Sequence, residues 1–449
     1  MKHLFKTGLL LCITAIKGFA QQAPASSQTY NFTLADCINY AYEHQDSVKN
    51  AQLDVKSAEY KVKETTGIGL PQINGSASLL DYVKIPTTLL PGEFFGAPGT
   101  FIPVKFGVKY QSSLGLDLSQ IIFDGSYLVG LKASKTYKEL SQRNYTRSRI
   151  EANMQVTKAY YQVLVSNERI KLLDANIKQL KEQVDQTTAQ NKQGFVEKID
   201  VDRITVQYND LVTTRENTIR LLALNYQMLK FQMGMPIDAE LLLKDRLEDI
   251  NLDESTAAVA SDSTAYKNRI EYNLIQTQLE LNKLDLKRYQ SKYLPSLAGV
   301  ANYTSSYQDN KFNTLYSMQF PSSYIGLRLT LPIFTGFQRS NQVKEAKIVV
   351  QKTQNDIENL KNGLNLQANA ARITYLNGLQ SLNNQRKSQE VAAEVLRVTR
   401  IKYQQGVGSS IEVTQAETAL VQANDKYIQG LYDALISKVD LDRAYGKLQ

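Results

Sequence analysis

The sequence predicts a mainly α-helical chain with a small β part, built from two copies of one unit. Three observations carry that expectation. First, the same landmarks recur: Gly69-Leu70-Pro71-Gln72-Ile73 and Tyr293-Leu294-Pro295-Ser296-Leu297, Phe123-Asp124-Gly125 and Phe334-Thr335-Gly336, Gln193-Gly194 and Gln405-Gly406. Gly125 to Gly336 is 211 residues and Gly194 to Gly406 is 212. Second, eight of the ten prolines (Pro71, Pro86, Pro91, Pro98, Pro103, Pro295, Pro321, Pro332) lie in or beside short alternating stretches, and 125–235 and 333–446 hold none. An internal proline costs a helix about 3 kcal/mol, so those two stretches are free to run long. Third, their apolar residues step at helical spacing: Leu173, Ile177, Leu180, Val184 by 4, 3, 4, and Leu221, Leu224, Met228, Phe231 by 3, 4, 3. A period near 3.5 is the seam of a coiled coil, and both stripes are expected in the core.

Taken in order, the chain opens on a secretory leader. Lys2 and Lys6 form its charged start, Leu9 to Ile16 its apolar centre, and Gly18-Phe19-Ala20 a small-residue cleavage site, so residues 1–20 are expected to be removed. The apolar centre is far short of the ~20 residues that cross a membrane. Loss of Lys2, Lys6 and Lys17 lowers the formal net charge from +8 to +5, interleaved with 44 acidic residues, which gives no nucleic-acid signal. Cys12 leaves with the leader and follows Leu11 in place of the small residue that a lipid-attachment site needs. Cys37 remains alone on an apolar helical face with Leu34, Ile38 and Ala41, as core.

Residues 21–235 then form a first repeat, 236–265 a linker rich in Asp, Glu, Ala, Ser and Thr, and 266–449 a second repeat. Within 113–119, Leu114, Leu116 and Leu118 alternate with polar or small residues, and within 324–331 Ile325, Leu327, Leu329 and Leu331 do the same. Period two with one apolar face means strands. Segments 72–84 and 296–306 alternate less cleanly, each across a loop from a clean partner, giving one antiparallel hairpin per repeat. The loops, 85–104 and 307–322, carry Phe94, Phe95, Phe101, Tyr307 and Tyr316. Helices over 126–192 and 337–404 would each extend about 100 Å at 1.5 Å per residue.

Four strands cannot close a cylinder, and an open edge is not tolerated in lipid. An exported chain with one-faced strands therefore points to a transmembrane β-barrel of at least eight strands, shared between copies, with leucine and isoleucine toward lipid and Ser, Asp, Arg and Thr toward a wet lumen. A β-patch packed on the helices of a soluble protein is the alternative left by periodicity alone.

Leu-Pro-x-Ile/Leu entering a strand, Phe-Asp-Gly and Phe-Thr-Gly leaving one, and Tyr403-Gln404-Gln405-Gly406-Val407-Gly408-Ser409 before a second helix together resemble the TolC family of outer-membrane efflux channels. The likeness covers essentially the whole mature chain. It implies a homotrimer whose protomers each give four strands to one 12-stranded barrel, with long coiled-coil helical hairpins forming a periplasmic tunnel. It implies a passive exit duct of a tripartite efflux or type I secretion system, working with a periplasmic adaptor and an inner-membrane pump, and no cofactor. By the same resemblance, the hairpin tips Gln193, Gly194, Phe195, Val196 and Gln405, Gly406, Val407, Gly408, Ser409 would meet the adaptor. Asp200 and Glu412 would line the closed aperture, with Gln415 where the family carries a second acid. Glycine at a tip also has a local reason, since a tight helix reversal needs positive φ. Acids in a first helical turn are likewise favoured by the helix dipole.

Enzyme classes lose ground on composition of motifs. After the leader the one histidine is His44, near Cys37 but with no further ligand cluster, and there is no phosphate-binding glycine loop or G-x-S-x-G turn. The rival class is a periplasmic coiled-coil adaptor or stalk without a pore, which generally carries one helical hairpin between β-rich domains.

Overall fold

The computed structural model describes residues 29–96, 98–247, 250, 252 and 265–448. The expected leader, 1–20, and most of the second half of the linker lie outside the described residues. The order of elements is β1 (Thr29–Phe32), α1 (Leu34–His44), α2 (Asp46–Ile68), β2 (Gln72–Asp81), β3 (Thr87–Pro91), β4 (Phe101–Lys105), β5 (Tyr110–Phe123), α3 (Gly125–Lys192) and α4 (Lys198–Met233). There follow β6 (Glu240–Leu243), α5 (Ile270–Ser291), β7 (Ser296–Asp309), β8 (Gln319–Thr330), α6 (Gln338–Gln404) and α7 (Ser410–Ala444). Helix, strand, strand, very long helix, helix thus occurs twice, with β3 and β4 inserted between the two strands of the first copy. No described helix is apolar enough over a sufficient length to cross a membrane.

The chain divides into two compact units. One, comprising 1–45, 155–252 and 380–436, is helical among its described residues apart from the short parallel pair β1–β6. Its main core packs Cys37, Ala41, Val156, Tyr160, Val163, Leu229 and Met233. Asp245 fixes the start of the linker there: its Oδ2 accepts hydrogen bonds from the Leu34 amide (2.9 Å) and the Tyr160 hydroxyl (2.8 Å). Gly234 closes α4 with φ 70°, and a Cβ there would stand 2.6 Å from the His44 carbonyl oxygen, so both conformation and contact demand glycine. Further along, Leu173, Leu180, Ile204 and Leu211 join α3 to α4, and Leu396, Val413 and Ala416 join α6 to α7.

The Leu173–Val184 stripe is core, as its spacing predicts. The second stripe is not. Leu221, Leu224, Met228 and Phe231 are all at least half exposed, and the buried seam of α4 runs instead through Ile204, Leu211, Thr218, Leu229 and Met233. The helix is apolar on two faces, and among the described residues only one of them is covered.

The second unit, 46–154, 253–379 and 437–449, carries the sheet β2-β5-β7-β8, antiparallel throughout. Register sorts its side chains by face. Ile73, Leu118, Ala301 and Ile325 lie side by side across the four strands, and Gly75, Leu116 and Tyr303 across three. The opposite face carries Asn74, Asp117, Asn302 and Tyr324, then Ser76, Gly115, Thr304 and Ser322. Asn302 donates to Asp117 (2.8 Å) and Thr304 to Asn302 (3.0 Å), knitting the polar face. The apolar face is bare: Ile325 is 91% and Leu327 72% exposed.

β5, β7 and β8 are longer than their alternation suggests, because ladder pairing continues where the side-chain pattern lapses, as at Ser306–Phe320, whereas β2 stops at Asp81, short of the expected 84. Segment 85–104, expected as a loop, contains the hairpin β3–β4. Pro91 and Pro103 argue against strands, but in a two-stranded ribbon both strands are edges and a missing donor can face outward.

Burial in the core around Tyr160 pushes the Cys37 thiol up to about 12 and leaves no path to it. In a chain beginning at residue 21, a maleimide is therefore expected to label nothing under native conditions and one thiol in denaturant. Fast native labelling would show that this core opens.

Candidate functional site

The two reversals that separate α3 from α4 and α6 from α7 lie in the helical unit and share one geometry. At the first, the Phe195 amide donates to Gln190 O (3.0 Å) and the Gly194 amide to Asn191 O (2.9 Å). At the second, the Val407 amide donates to Lys402 O (3.0 Å) and the Gly406 amide to Tyr403 O (3.0 Å). This is the Schellman pattern, which satisfies the last carbonyls of a helix and requires a left-handed residue. Gly194 (φ 82°) and Gly406 (φ 73°) supply it. Gly408 has a different constraint: a Cβ there would lie 2.9 Å from the Tyr403 amide nitrogen. Beyond each turn, Phe195 and Val407 are 77% and 79% exposed.

The expected aperture acids occupy matching places. Asp200 and Glu412 are each the third residue of their helix. Asp200 is mostly shielded; its Oδ1 accepts from the Ser410 hydroxyl and lies 3.7 Å from Arg203 Nη1. That bond crosses from the first tip to the second. Glu412 is exposed, its amide held by the Ser409 hydroxyl (3.3 Å), which caps α7. Gln415, one turn on, is exposed as well. Gln193, Gly194, Gln405, Gly406 and Ser409 are exposed, whereas Val196 and Gly408 are partly covered. Val196 is fixed through its carbonyl, which accepts from Asn191 Nδ2 (2.8 Å).

Motif reading missed a buried ion pair behind the second tip. Arg400 on α6 donates through Nη2 to Glu417 Oε1 on α7 (2.7 Å) and to Gln183 Oε1 on α3 (3.0 Å), with Gln179 in reach of the same guanidinium. Glu417 is 6% exposed, and burial raises its proton affinity against the opposing pull of Arg400. Glu417 Oε2 and Arg400 Nε are buried without a protein partner. A signal was present. Leu396, Arg400, Tyr403 and Val413, Glu417, Leu420 keep coiled-coil spacing, so both charges stand at positions where a seam calls for apolar residues.

A family model described as outer membrane efflux protein matches residues 37–223 and 271–447. Outer membrane protein TolC of Vibrio cholerae is 21% identical over 426 residues, covering 94% of this chain and 92% of that protein. Outer membrane protein TolC of Escherichia coli is 24% identical over 365 residues, covering 75% and 70%. The crystal structure of the Vibrio cholerae outer membrane protein VceC superposes with a TM-score of 0.71 at 15% identity, covering 92% of this chain and 96% of that one.

Removing either side of a buried ion pair strands the other charge, at about 3–5 kcal/mol, less here because Arg400 is partly solvated. Glu417→Ala and Arg400→Ala should each lower the thermal midpoint clearly, and Arg400→Met with Glu417→Leu should recover most of the loss. A double variant as unstable as either single one would show that the seam needs the charges themselves.

Proposed function

The chain belongs to the outer membrane efflux protein family, and from that membership we propose that three copies form an exit duct of a tripartite efflux or type I secretion system. It is an outer-membrane protein, with its helical part in the periplasm and the two repeats, 21–235 and 266–449, as its building units. The duct is passive: cargo passes through, and no chemistry is performed on it.

The observation that carries this reading is the sheet. Among the described residues the outer edges of β2 and β8 pair with no strand. One face is apolar and bare, the other polar and hydrogen-bonded. Strands of 10 to 14 residues match the ~9–11 that a tilted strand needs to span hydrocarbon. With four alternating strands, β2 and β8 run in opposite directions, so β8 of one copy meets β2 of the next antiparallel, like every other neighbour in the sheet. Repetition of one heterologous contact generates a ring. Three copies give twelve strands, an even number that closes a barrel without an edge. The uncovered stripe Leu221, Leu224, Met228, Phe231 supports self-association independently, since a soluble monomer rarely leaves such a seam in water.

The hairpin tips are the proposed docking points for a periplasmic adaptor, itself bound to an inner-membrane pump. Phe195 and Val407 offer apolar knobs on rigid, doubly hydrogen-bonded turns. Asp200, Glu412 and Gln415 are the proposed aperture residues. The Asp200–Ser410 bond holds the two tips of one protomer together, so opening the aperture would have to move them jointly or break that bond.

In mild detergent the purified protein should run at three times its chain mass and stay with outer membranes through a high-salt wash. Leu327→Arg, which puts a charge on the apolar face at about 2–4 kcal/mol, should reduce the trimer and its membrane yield. A wild-type monomer soluble without detergent would overturn the barrel reading. In planar bilayers, Asp200→Ala combined with Glu412→Ala should change conductance or cation preference; unchanged currents would remove both residues from the aperture.

A further inference from the structure

We propose that the cavity beside Glu417 is a binding site for a small organic cation, a protonated amine on a compact apolar skeleton. The cavity lies within the helical unit, where α3, α4, α6 and α7 each contribute to its wall, and its volume is about 320 Å³. That is in the range of pockets which enclose a small ligand, roughly 300–1,000 Å³. Its apolar wall is made by Leu180, Leu211, Leu396 and Val421. Its polar side carries Gln207, Asp210, Arg400 and Glu417.

Charge and hydrogen-bond capacity select the ligand. The lining holds two carboxylates, Glu417 and the exposed Asp210, and one guanidinium, Arg400, which is already engaged by Glu417 Oε1 and Gln183. The lining therefore has a surplus of one negative charge. Glu417 Oε2 and Gln207 Oε1 are both buried, both acceptors, and both without a protein donor. A buried carboxylate oxygen left without a donor is unfavourable by about 1–3 kcal/mol or more. An ammonium brings up to three donors and the compensating charge. A carboxylate ligand would add to the surplus, and a hydroxyl supplies one donor and no charge. Arg400 Nε is the one unpartnered donor of the cluster, so an oxygen next to the amine would complete the set. The apolar wall, in turn, excludes a bare, strongly hydrated cation.

Three isosteres that differ only in charge and donors decide the matter: 1-adamantanamine, 1-adamantanol and 1-adamantanecarboxylate. Each would be titrated into the full mature chain in non-ionic detergent near neutral pH, by calorimetry and by saturation-transfer NMR. The amine should bind saturably and about tenfold or more tighter than the alcohol, with the carboxylate weakest. Glu417→Gln should bring amine and alcohol within about threefold. Val421→Phe, which fills the cavity and keeps the carboxylate, should weaken the amine about tenfold, and it decides the question should Glu417→Gln fail to fold. Equal affinity of the three compounds, no saturable amine binding up to millimolar concentration, or an amine preference that survives both substitutions would overturn the proposal.

Discussion

Inside a hydrocarbon layer every backbone N–H and C=O must find a partner within protein, since no water is there to serve as one, and each failure costs several kcal/mol. In the proposed barrel, the outer edges of β2 and β8 present that problem twice per chain, along ten and twelve residues. Much else in the β part follows from its solution. Edge strands of a water-soluble sheet are usually blunted by charge, proline or a bulge. Here β8 ends with Tyr324, Ile325, Leu327 and Leu329 on open display, and its one charged residue, Arg328, lies on the face opposite Leu327 and Leu329. Such an edge is an aggregation hazard in water and an asset only where another strand docks on it. The polar face is internally hydrogen-bonded: Asn302 donates to Asp117 across β7 and β5, and Thr304 to Asn302 along β7.

The helical unit solves a different problem, that of keeping long amphipathic rods in register. Each hairpin has its own dry seam: Leu173, Leu180, Ile204 and Leu211 in one, Leu396, Val413 and Ala416 in the other. Fully burying one leucine-sized side chain stabilises by about 1.5–3 kcal/mol, so each seam suffices for its hairpin but says little about neighbours. The second apolar face of α4 is left uncovered among the described residues. Four large side chains at half exposure or more represent burial still to be gained.

Much of this was legible in the sequence because it rests on local rules. Gly194 and Gly406 mark the reversals since positive φ at a helix end has few other solutions, and the long helices show through the missing prolines. Leu114–Leu118 and Ile325–Leu329 declare their strands because one face is apolar and the other polar. What stayed hidden depends on neighbours. Spacing alone put Leu221–Phe231 in the core; a stripe reports that a face will be covered, not which chain covers it. Pro91 and Pro103 concealed β3 and β4, because proline is forbidden only where the partner strand needs its N–H. The Asp200–Ser410 bond joins residues 210 apart, and no local pattern foretells it.

The Arg400–Glu417 pair shows why a seam can contain charges at a thermodynamic disadvantage. A buried ion pair seldom stabilises more than apolar residues of similar volume, because desolvation offsets the Coulomb gain. Two leucines at these sites would pack, yet they would pack almost as well one heptad away, and a hairpin of near-uniform heptads has several such registers. Arg400 admits one: only there does its guanidinium reach both Glu417 across the turn and Gln183 on the other hairpin. Any slip buries an unpaired charge, and that cost rises far more steeply than the loss of apolar contact. Specifying one register is the best-attested use of buried polar groups in coiled coils, and the geometry of this pair suits it.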